Sequence, residues 1–405
     1  MDRVRQEWRM KKRGPERRKS VGRRAGETGA RPLEGPPLVT CPHCEHLVPA
    51  GDFCGHCGAH LPTASTRRRH AFAAMPNEPV AHLSIISTLL PHLPHRRGRP
   101  FRTALLAGGV AVMALAALHL FAPAAIAAVL VLPVLYLIYL YEVEVYENEP
   151  WLVVGATMAA GAVLGFVFAN LAGGALSRLA LTGDRATGFV FAGIAVPIAA
   201  QLLMLAGPLF LYTYRSRFRE PLDGLTFGAA SALGFSLASS LTLVWPSITG
   251  PLIAAGSPFE WAVRLARAGL LVSLINASTT GLVTAALWLN RYDRRRSHRE
   301  WQSTIPAAIA IAFGVQVVVG VIEFIVPDLA VDFVIMSAAT LALLLYVRLV
   351  IHQALLVEGV EHEVGPDSRC PECHRMVPTM VFCPACGAAR AAASKQGRLK
   401  PTGHA

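Results

Sequence analysis

The sequence lacks the common fingerprints of soluble enzymes. It contains no phosphate-binding P-loop, no glycine-rich dinucleotide turn, no HExxH zinc motif and no GxSxG nucleophile turn. Charged residues are also scarce, at 16% of the chain, whereas apolar residues make up 53%. The missing motifs argue against nucleotide-dependent enzymes and serine hydrolases, and the composition is typical of a membrane protein.

No cysteine lies outside two short clusters. All eight thiols fall into two identical C-x2-C-x9-C-x2-C frames, one towards each end of the chain. Because none is left over, no disulfide framework is needed, and paired CxxC motifs are typical of thiolate metal sites in a reducing compartment. The first frame consists of Cys41, Cys44, Cys54 and Cys57, and the second of Cys370, Cys373, Cys383 and Cys386.

Each frame predicts a small zinc ribbon. Four thiolates complete a tetrahedral site, so both sites are expected to be structural, with no open position for catalysis. Units of this size need the metal in order to fold. We therefore predict two structural Zn²⁺ ions. A redox function is less favoured, because the motifs are doubled and lack a βαβ context; packing of the two ribbons against each other is a hypothesis.

The region between the frames contains eight apolar runs of membrane-spanning length. About 20 apolar residues cross a bilayer as a helix, and a helix satisfies its own backbone hydrogen bonds in lipid. The predicted fold class is an all-α multi-pass membrane protein with about eight transmembrane helices, flanked by two small four-cysteine zinc ribbons. The runs are roughly 103–121, 123–141, 151–173, 187–213, 225–244, 263–289, 303–326 and 329–350.

The distribution of basic residues orients these runs in the bilayer. The loops 214–223 and 290–302 are rich in arginine, whereas the 245–262 loop has neither lysine nor arginine. Basic loops stay in the cytoplasm, and the N-terminus lacks the apolar core of a signal peptide. We expect a multi-pass protein of the cell membrane with both termini and both ribbons in the cytoplasm.

Composition divides the chain into seven segments. The basic first segment cannot bury a core and is expected to be disordered. The predicted segments are a tail at 1–38, a ribbon at 39–62, a basic linker at 63–102, a transmembrane domain at 103–352, a linker at 353–367, a ribbon at 368–390 and a tail at 391–405.

Four stretches of the apolar region share order and spacing with a known family. They are 146–151 (YENEPW), 197–204 (PIAAQLLM), 221–235 (PLDGLTFGAASALGF) and 276–281 (NASTTG). These stretches resemble motifs of the PrsW family of intramembrane proteases, over roughly residues 130–290. The resemblance implies that family's helical fold and makes peptidase the default activity.

The acids and bases of the family motifs are replaced in this chain. Ala200 and Gln201 stand where the family has two glutamates, and Met204 stands where it has a lysine. Ser239 replaces a further glutamate, and Asn276 replaces a histidine. Peptide hydrolysis needs a base that activates water and a group that stabilises the oxyanion. The replacements predict a pseudoenzyme with no catalytic residues.

Glu323 is the alternative candidate for a catalytic acid. It lies within an apolar run, where a carboxylate is a functional candidate by default. Gln316 lies seven residues earlier on the same helical face. The nearby turn at Pro327 favours the simpler interpretation that Glu323 reaches the membrane interface.

Three functions remain open at this point. The favoured one is a non-catalytic scaffold or regulator that binds a cytoplasmic protein partner through its ribbons. The second is a PrsW-type protease that uses unrecognised residues such as Glu323. The third, a membrane-tethered nucleic-acid binder, is ranked last because the ribbons carry few cations for phosphate contact: the first frame has none and the second has only Arg375.

Overall fold

The structure is a computed structural model of the 405-residue chain. It describes residues 37–42, 44–59, 61, 99–143, 151–182, 185–214, 221–249, 258–293, 305–326, 328–359, 364–370 and 373–387. Residues 1–36, the predicted tail at 391–405, most of the 63–102 linker and the arginine-rich parts of the loops lie outside these ranges. The bounds of the seven predicted segments therefore remain predictions.

The described part of the chain between the two cysteine frames is helical. Two π-helical turns, Val190–Ala195 and Arg267–Leu271, each join two α-helices into one long span. The α-helices are α1 Arg99–Ala117, α2 Phe121–Val143, α3 Trp151–Thr182, α4 Arg185–Phe189, α5 Val196–Tyr214, α6 Pro221–Thr249, α7 Pro258–Ala266, α8 Val272–Asp293, α9 Ile305–Ile325 and α10 Leu329–Gly359.

The helices confirm the prediction of a multi-pass membrane protein with about eight spans. Seven described helical stretches are long and apolar enough to cross a bilayer, and α1 adds a shorter apolar stretch, Thr103–Ala117. The first span ends earlier than its predicted limit of 121. The reason is a tight turn in which His119 has a positive φ of 57°. This turn reverses the chain, so that α1 packs against α2 as a helical hairpin.

Glycines bring α3 and α6 into backbone contact. A Cβ atom at Gly161 would overlap the carbonyl oxygen of Ser231, and one at Gly165 would overlap that of Phe235. Small residues are the usual means of close helix packing in membranes. Helix α6 also packs on α8, where Phe227 lies against Trp288. Helix α6 thus contacts both α3 and α8.

The two cysteine frames fold into ribbons of the same design. Strand β1 (Leu38–Thr40) pairs antiparallel with β2 (Leu47–Pro49), and β3 (Gly365–Arg369) pairs antiparallel with β4 (Met376–Thr379). The chain leaves the second knuckle of each ribbon through a glycine with positive φ, 75° in one ribbon and 71° in the other. Only glycine adopts this conformation without strain.

The two ribbons pack together as one double ribbon. The amide of Phe53 donates to the carbonyl of Pro384, and the amide of Phe382 donates to the carbonyl of Gly55, both at 2.9 Å. Phe53 and Phe382 are equivalent positions of the two ribbons, as are Gly55 and Pro384. The two ribbons are therefore related by an approximate twofold axis. Met380 of the second ribbon also lies in the apolar core of the first. The structure therefore supports the hypothesis of a double ribbon.

Candidate functional site

A buried polar network links four helices of the membrane region. Its members come from α5, α6, α8 and α9, and all are withdrawn from the surface. Two of them, Gln201 and Asn276, are among the positions predicted to replace a glutamate and a histidine of the resembled motifs. The polar network consists of Gln201, Ser236, Asn276, Thr279, Thr280 and Gln316.

Gln201 is the centre of the network on α5. Its Oε1 accepts hydrogen bonds from Thr279 Oγ1 at 3.0 Å and from Gln316 Nε2 at 3.1 Å. Its Nε2 donates to Thr280 Oγ1 at 3.3 Å. The side chain is fully buried, and an unpaired amide would be strongly destabilising in such a place. Both ends of the Gln201 amide are therefore satisfied by neighbouring helices.

Gln316 and Asn276 continue the network across α9, α8 and α6. Gln316 Nε2 lies 2.9 Å from Asn276 Oδ1 and 3.0 Å from Thr279 Oγ1, both of which accept from it. Asn276 Nδ2 in turn donates to Ser236 Oγ at 2.9 Å. The amide positions thus form a chain of neutral hydrogen bonds that fixes the four helices relative to one another.

The other replaced motif positions lie beside the network. Met204 is fully buried in an apolar cluster with Phe235, and Ala200 packs against the same cluster. Ser239 Oγ donates to the carbonyl of Ser236 in its own helix, at 3.3 Å. The five replaced positions therefore serve packing and hydrogen bonding in the described part of the chain.

The chemistry of the network does not match the needs of peptide hydrolysis. Activation of water requires a proton acceptor or a metal ion. The network offers only amides and hydroxyls, none of which accepts a proton near neutral pH. A hydrolytic metal is held by imidazole, carboxylate or thiolate groups, and the network contains none of these. Its residues do not fit a catalytic metal ion.

Glu323 lies outside the polar network, towards the end of α9. It follows Gln316 by two helical turns, about 10 Å along the axis, and its side chain is 58% exposed. Its Oε1 lies 3.0 Å from Nη2 of Arg267, whose Nε lies 2.6 Å from Asp332 Oδ2. This ion group ties a π-helical turn to α9 and α10. Sequence reasoning overlooked Arg267, although a basic residue inside an apolar run was a visible signal.

The two cysteine frames have the geometry of tetrahedral thiolate sites. The Sγ–Sγ distances are 3.8 Å for Cys41 and Cys57 and 3.7 Å for Cys44 and Cys54. The matching pairs of the second frame are both 3.8 Å apart. A Zn–S bond of about 2.3 Å places tetrahedral sulfurs about 3.8 Å apart. Both frames therefore fit a four-coordinate metal ion.

Close approach of the sulfurs raises the pKa of a thiol in each frame. A hydrogen bond with Cys44 raises the pKa of Cys54 to about 12, and one with Cys370 raises the pKa of Cys383 to about 11. In the absence of a metal these thiols hold their protons at neutral pH. A bound cation supplies the positive charge that stabilises four thiolates, so metal binding releases protons.

Comparison with known proteins places the membrane region in a family. Residues 149–351 match the family described as PrsW family intramembrane metalloprotease, which is half of the chain and includes α9 and α10 beyond the resemblance seen in the sequence. No curated protein and no solved structure matches the chain. The chain belongs to the PrsW family.

Proposed function

We propose that this chain is a PrsW-family membrane protein without peptidase activity. It acts as a scaffold or regulator, and its double ribbon carries two structural Zn²⁺ ions and binds a protein partner in the cytoplasm. The observation that carries the proposal is the polar network of neutral side chains at the family's motif positions.

The hydrogen bonding of the network supports a structural function. Each amide bonds another member of the network, and amides and hydroxyls offer no base that could activate water near neutral pH. Neutral hydrogen bonds between membrane helices stabilise by about 0.6 kcal/mol each on average. Several such bonds hold four helices in register.

The double ribbon supports the proposed location. Because the ribbons share backbone hydrogen bonds, they lie on one side of the membrane, and the chain crosses the bilayer an even number of times between them. The seven long spans need one more crossing, which α1 supplies: its 19 residues extend about 28 Å. Basic loops at 214–223 and 290–302 favour the cytoplasm for that side.

The ribbon surface favours a protein partner over nucleic acid. Leu47 and Met376 occupy equivalent positions in the two ribbons and are 65% and 64% exposed. Exposed apolar side chains of this kind suit a protein contact, whereas phosphate binding needs more cations than Arg375, the one lysine or arginine within the two frames.

The loss of peptidase activity is tested with purified protein in proteoliposomes. A fluorogenic transmembrane peptide is supplied, and cleavage is compared with protein-free vesicles and with a cleaving member of the family. We expect no cleavage above the protein-free rate. Turnover that Glu323→Gln abolishes would overturn the proposal in favour of a protease that uses this acid.

Partner binding is tested by site-specific photocrosslinking in intact cells. A crosslinking residue is introduced at Leu47 or Met376, with Leu106 of α1, also exposed, as the control in the membrane region. We expect a protein adduct from both ribbon positions that the control position does not give. Adducts limited to lipid or nucleic acid would contradict a protein partner.

A further inference from the structure

The first ribbon carries two histidines that the second ribbon lacks. Ligand atoms of Cys44, His46 and His56 all lie within 4.8 Å of one another. The two imidazole rings stack with their centroids 3.9 Å apart and their planes 11° from parallel. The equivalent positions of the second ribbon are Arg375 and Ala385, neither of which can ligate zinc.

His46 is oriented like a metal ligand. Its Nδ1 lies 2.7 Å from the carbonyl oxygen of Cys44, which accepts the ring N–H. Metal-binding histidines commonly donate one ring N–H to a backbone carbonyl, which leaves the other nitrogen free to ligate. Nε2 of His46 is therefore the available donor atom on this side of Cys44.

His56 carries a nitrogen that lacks a hydrogen-bond partner. Its Nδ1 is buried, and no protein group within the described residues bonds to it. Buried polar atoms without a partner are uncommon in folded proteins. His56 stands between Cys54 and Cys57 in the second knuckle, and a ring nitrogen of His56 lies within 4.8 Å of the Cys44 sulfur.

We propose that His46 and His56 form a reserve ligand pair for the first zinc site. When the Cys44 thiolate is absent, either imidazole takes its place as the fourth ligand. The site then has three thiolates and one imidazole instead of four thiolates. Both sets are standard for structural zinc. In the described part of the second ribbon no histidine joins the four cysteines as a possible ligand, so loss of Cys373 removes its metal. The first site of the double ribbon therefore keeps its metal without Cys44, whereas the second site needs all four of its cysteines.

This inference rests on the zinc part of the proposed function. Zinc per chain is measured by mass spectrometry on full-length protein in detergent after a mild chelator wash. We expect two ions in the wild type, two in Cys44→Ser and one in Cys373→Ser. Combining Cys44→Ser with His46→Ala and His56→Ala should leave one ion, whereas the two histidine substitutions alone should leave both.

Transfer of the two histidines to the second ribbon makes the test independent of misfolding. Adding Arg375→His and Ala385→His to Cys373→Ser should restore the second ion, a gain that an unfolded ribbon cannot produce. With Co²⁺ in place of Zn²⁺, Cys44→Ser should show the weaker sulfur-to-metal absorption of three thiolates.

The outcomes separate the two proposals. Fewer than two ions in the wild type would contradict the zinc proposal itself. Two ions in the wild type, with equal loss from Cys44→Ser and Cys373→Ser, would contradict only the reserve ligands. Retention of both ions in the Cys44→Ser variant that lacks both histidines would also contradict them, as would failure of the transferred histidines to restore the second ion.

Discussion

The polar network and the double ribbon solve the problem of buried polar atoms in opposite ways. In the membrane, Gln201 and its neighbours satisfy one another with neutral hydrogen bonds. In the ribbons, sulfurs lie 3.8 Å apart and the pKa of Cys383 is raised to about 11, an arrangement that fits a bound metal ion. The comparison teaches that one region satisfies its polar atoms internally, whereas the other is arranged to hold a ligand.

The largest expected effect is the loss of a zinc ligand. Cys370 is buried in the second ribbon, and structural zinc contributes about 10–16 kcal/mol to the folding of such units. Cys370→Ser should therefore remove the second ion and unfold the second ribbon. Zinc content and limited proteolysis measure the two effects. His374→Ala, next to a ligand but not one of the four cysteines of the frame, is the control and should leave both unchanged.

A smaller effect is expected from the contact between the ribbons. Met380 is buried in the core of the first ribbon, and truncation of such a side chain commonly destabilises by about 2–5 kcal/mol. Met380→Ala should weaken the double ribbon, measured as a longer distance between spin labels on the two ribbons. Met376→Ala, in the same ribbon but 64% exposed, should change the distance little; an equal change would contradict the observed packing.

The polar network should respond to loss of its central amide. Gln201→Leu removes the three hydrogen bonds that link Gln201 of α5 to α8 and α9, and each such bond between membrane helices contributes about 0.6 kcal/mol on average. We expect a clear fall in the temperature at which the purified protein unfolds in detergent. Ser239→Ala is the control, because its hydroxyl bonds only within its own helix among the described contacts. Equal falls in the unfolding temperature of the two variants would contradict a stabilising role for the bonds between helices.

The mildest perturbation, a change of pH, should distinguish the two regions. Cys54 and Cys383 have raised pKa values in the metal-free frames, so zinc must displace their protons and its apparent affinity rises with pH. Each displaced proton contributes about a tenfold change per pH unit. Competition with a chelator at pH 6, 7 and 8 measures this slope. The neutral network has no group that titrates in this range. When the ribbons are saturated with zinc, the unfolding temperature of the membrane region should therefore not change between pH 6 and pH 8.

Local patterns in the sequence predicted the elements well, because the determinants are local. Apolar runs identified the spans, and the spacing of Cys41 and Cys44 from their partners identified the frames. The first span, predicted at roughly 103–121, ends at Ala117 because the chain turns at His119, a few residues before Pro123.

Contacts between distant elements could not be predicted in the same way. Gln316 was singled out only for sharing a helical face with Glu323, yet it belongs to the network because α9 packs against α8. Packing of the two ribbons was only a hypothesis, and the bonds that create it, Phe53 to Pro384 and Phe382 to Gly55, join positions more than 300 residues apart. The stacking of His46 on His56 depends on the hairpin that brings two knuckles together. No single-sequence pattern specifies such relations.

The central claim is that the motif positions of this family member form a neutral structural network that holds no metal. The most direct measurement is the metal content of full-length protein in which all eight cysteines are replaced by serine, washed with a mild chelator in detergent. We predict that no stoichiometric ion remains. One retained ion per chain that is lost on Gln201→Leu would contradict the account.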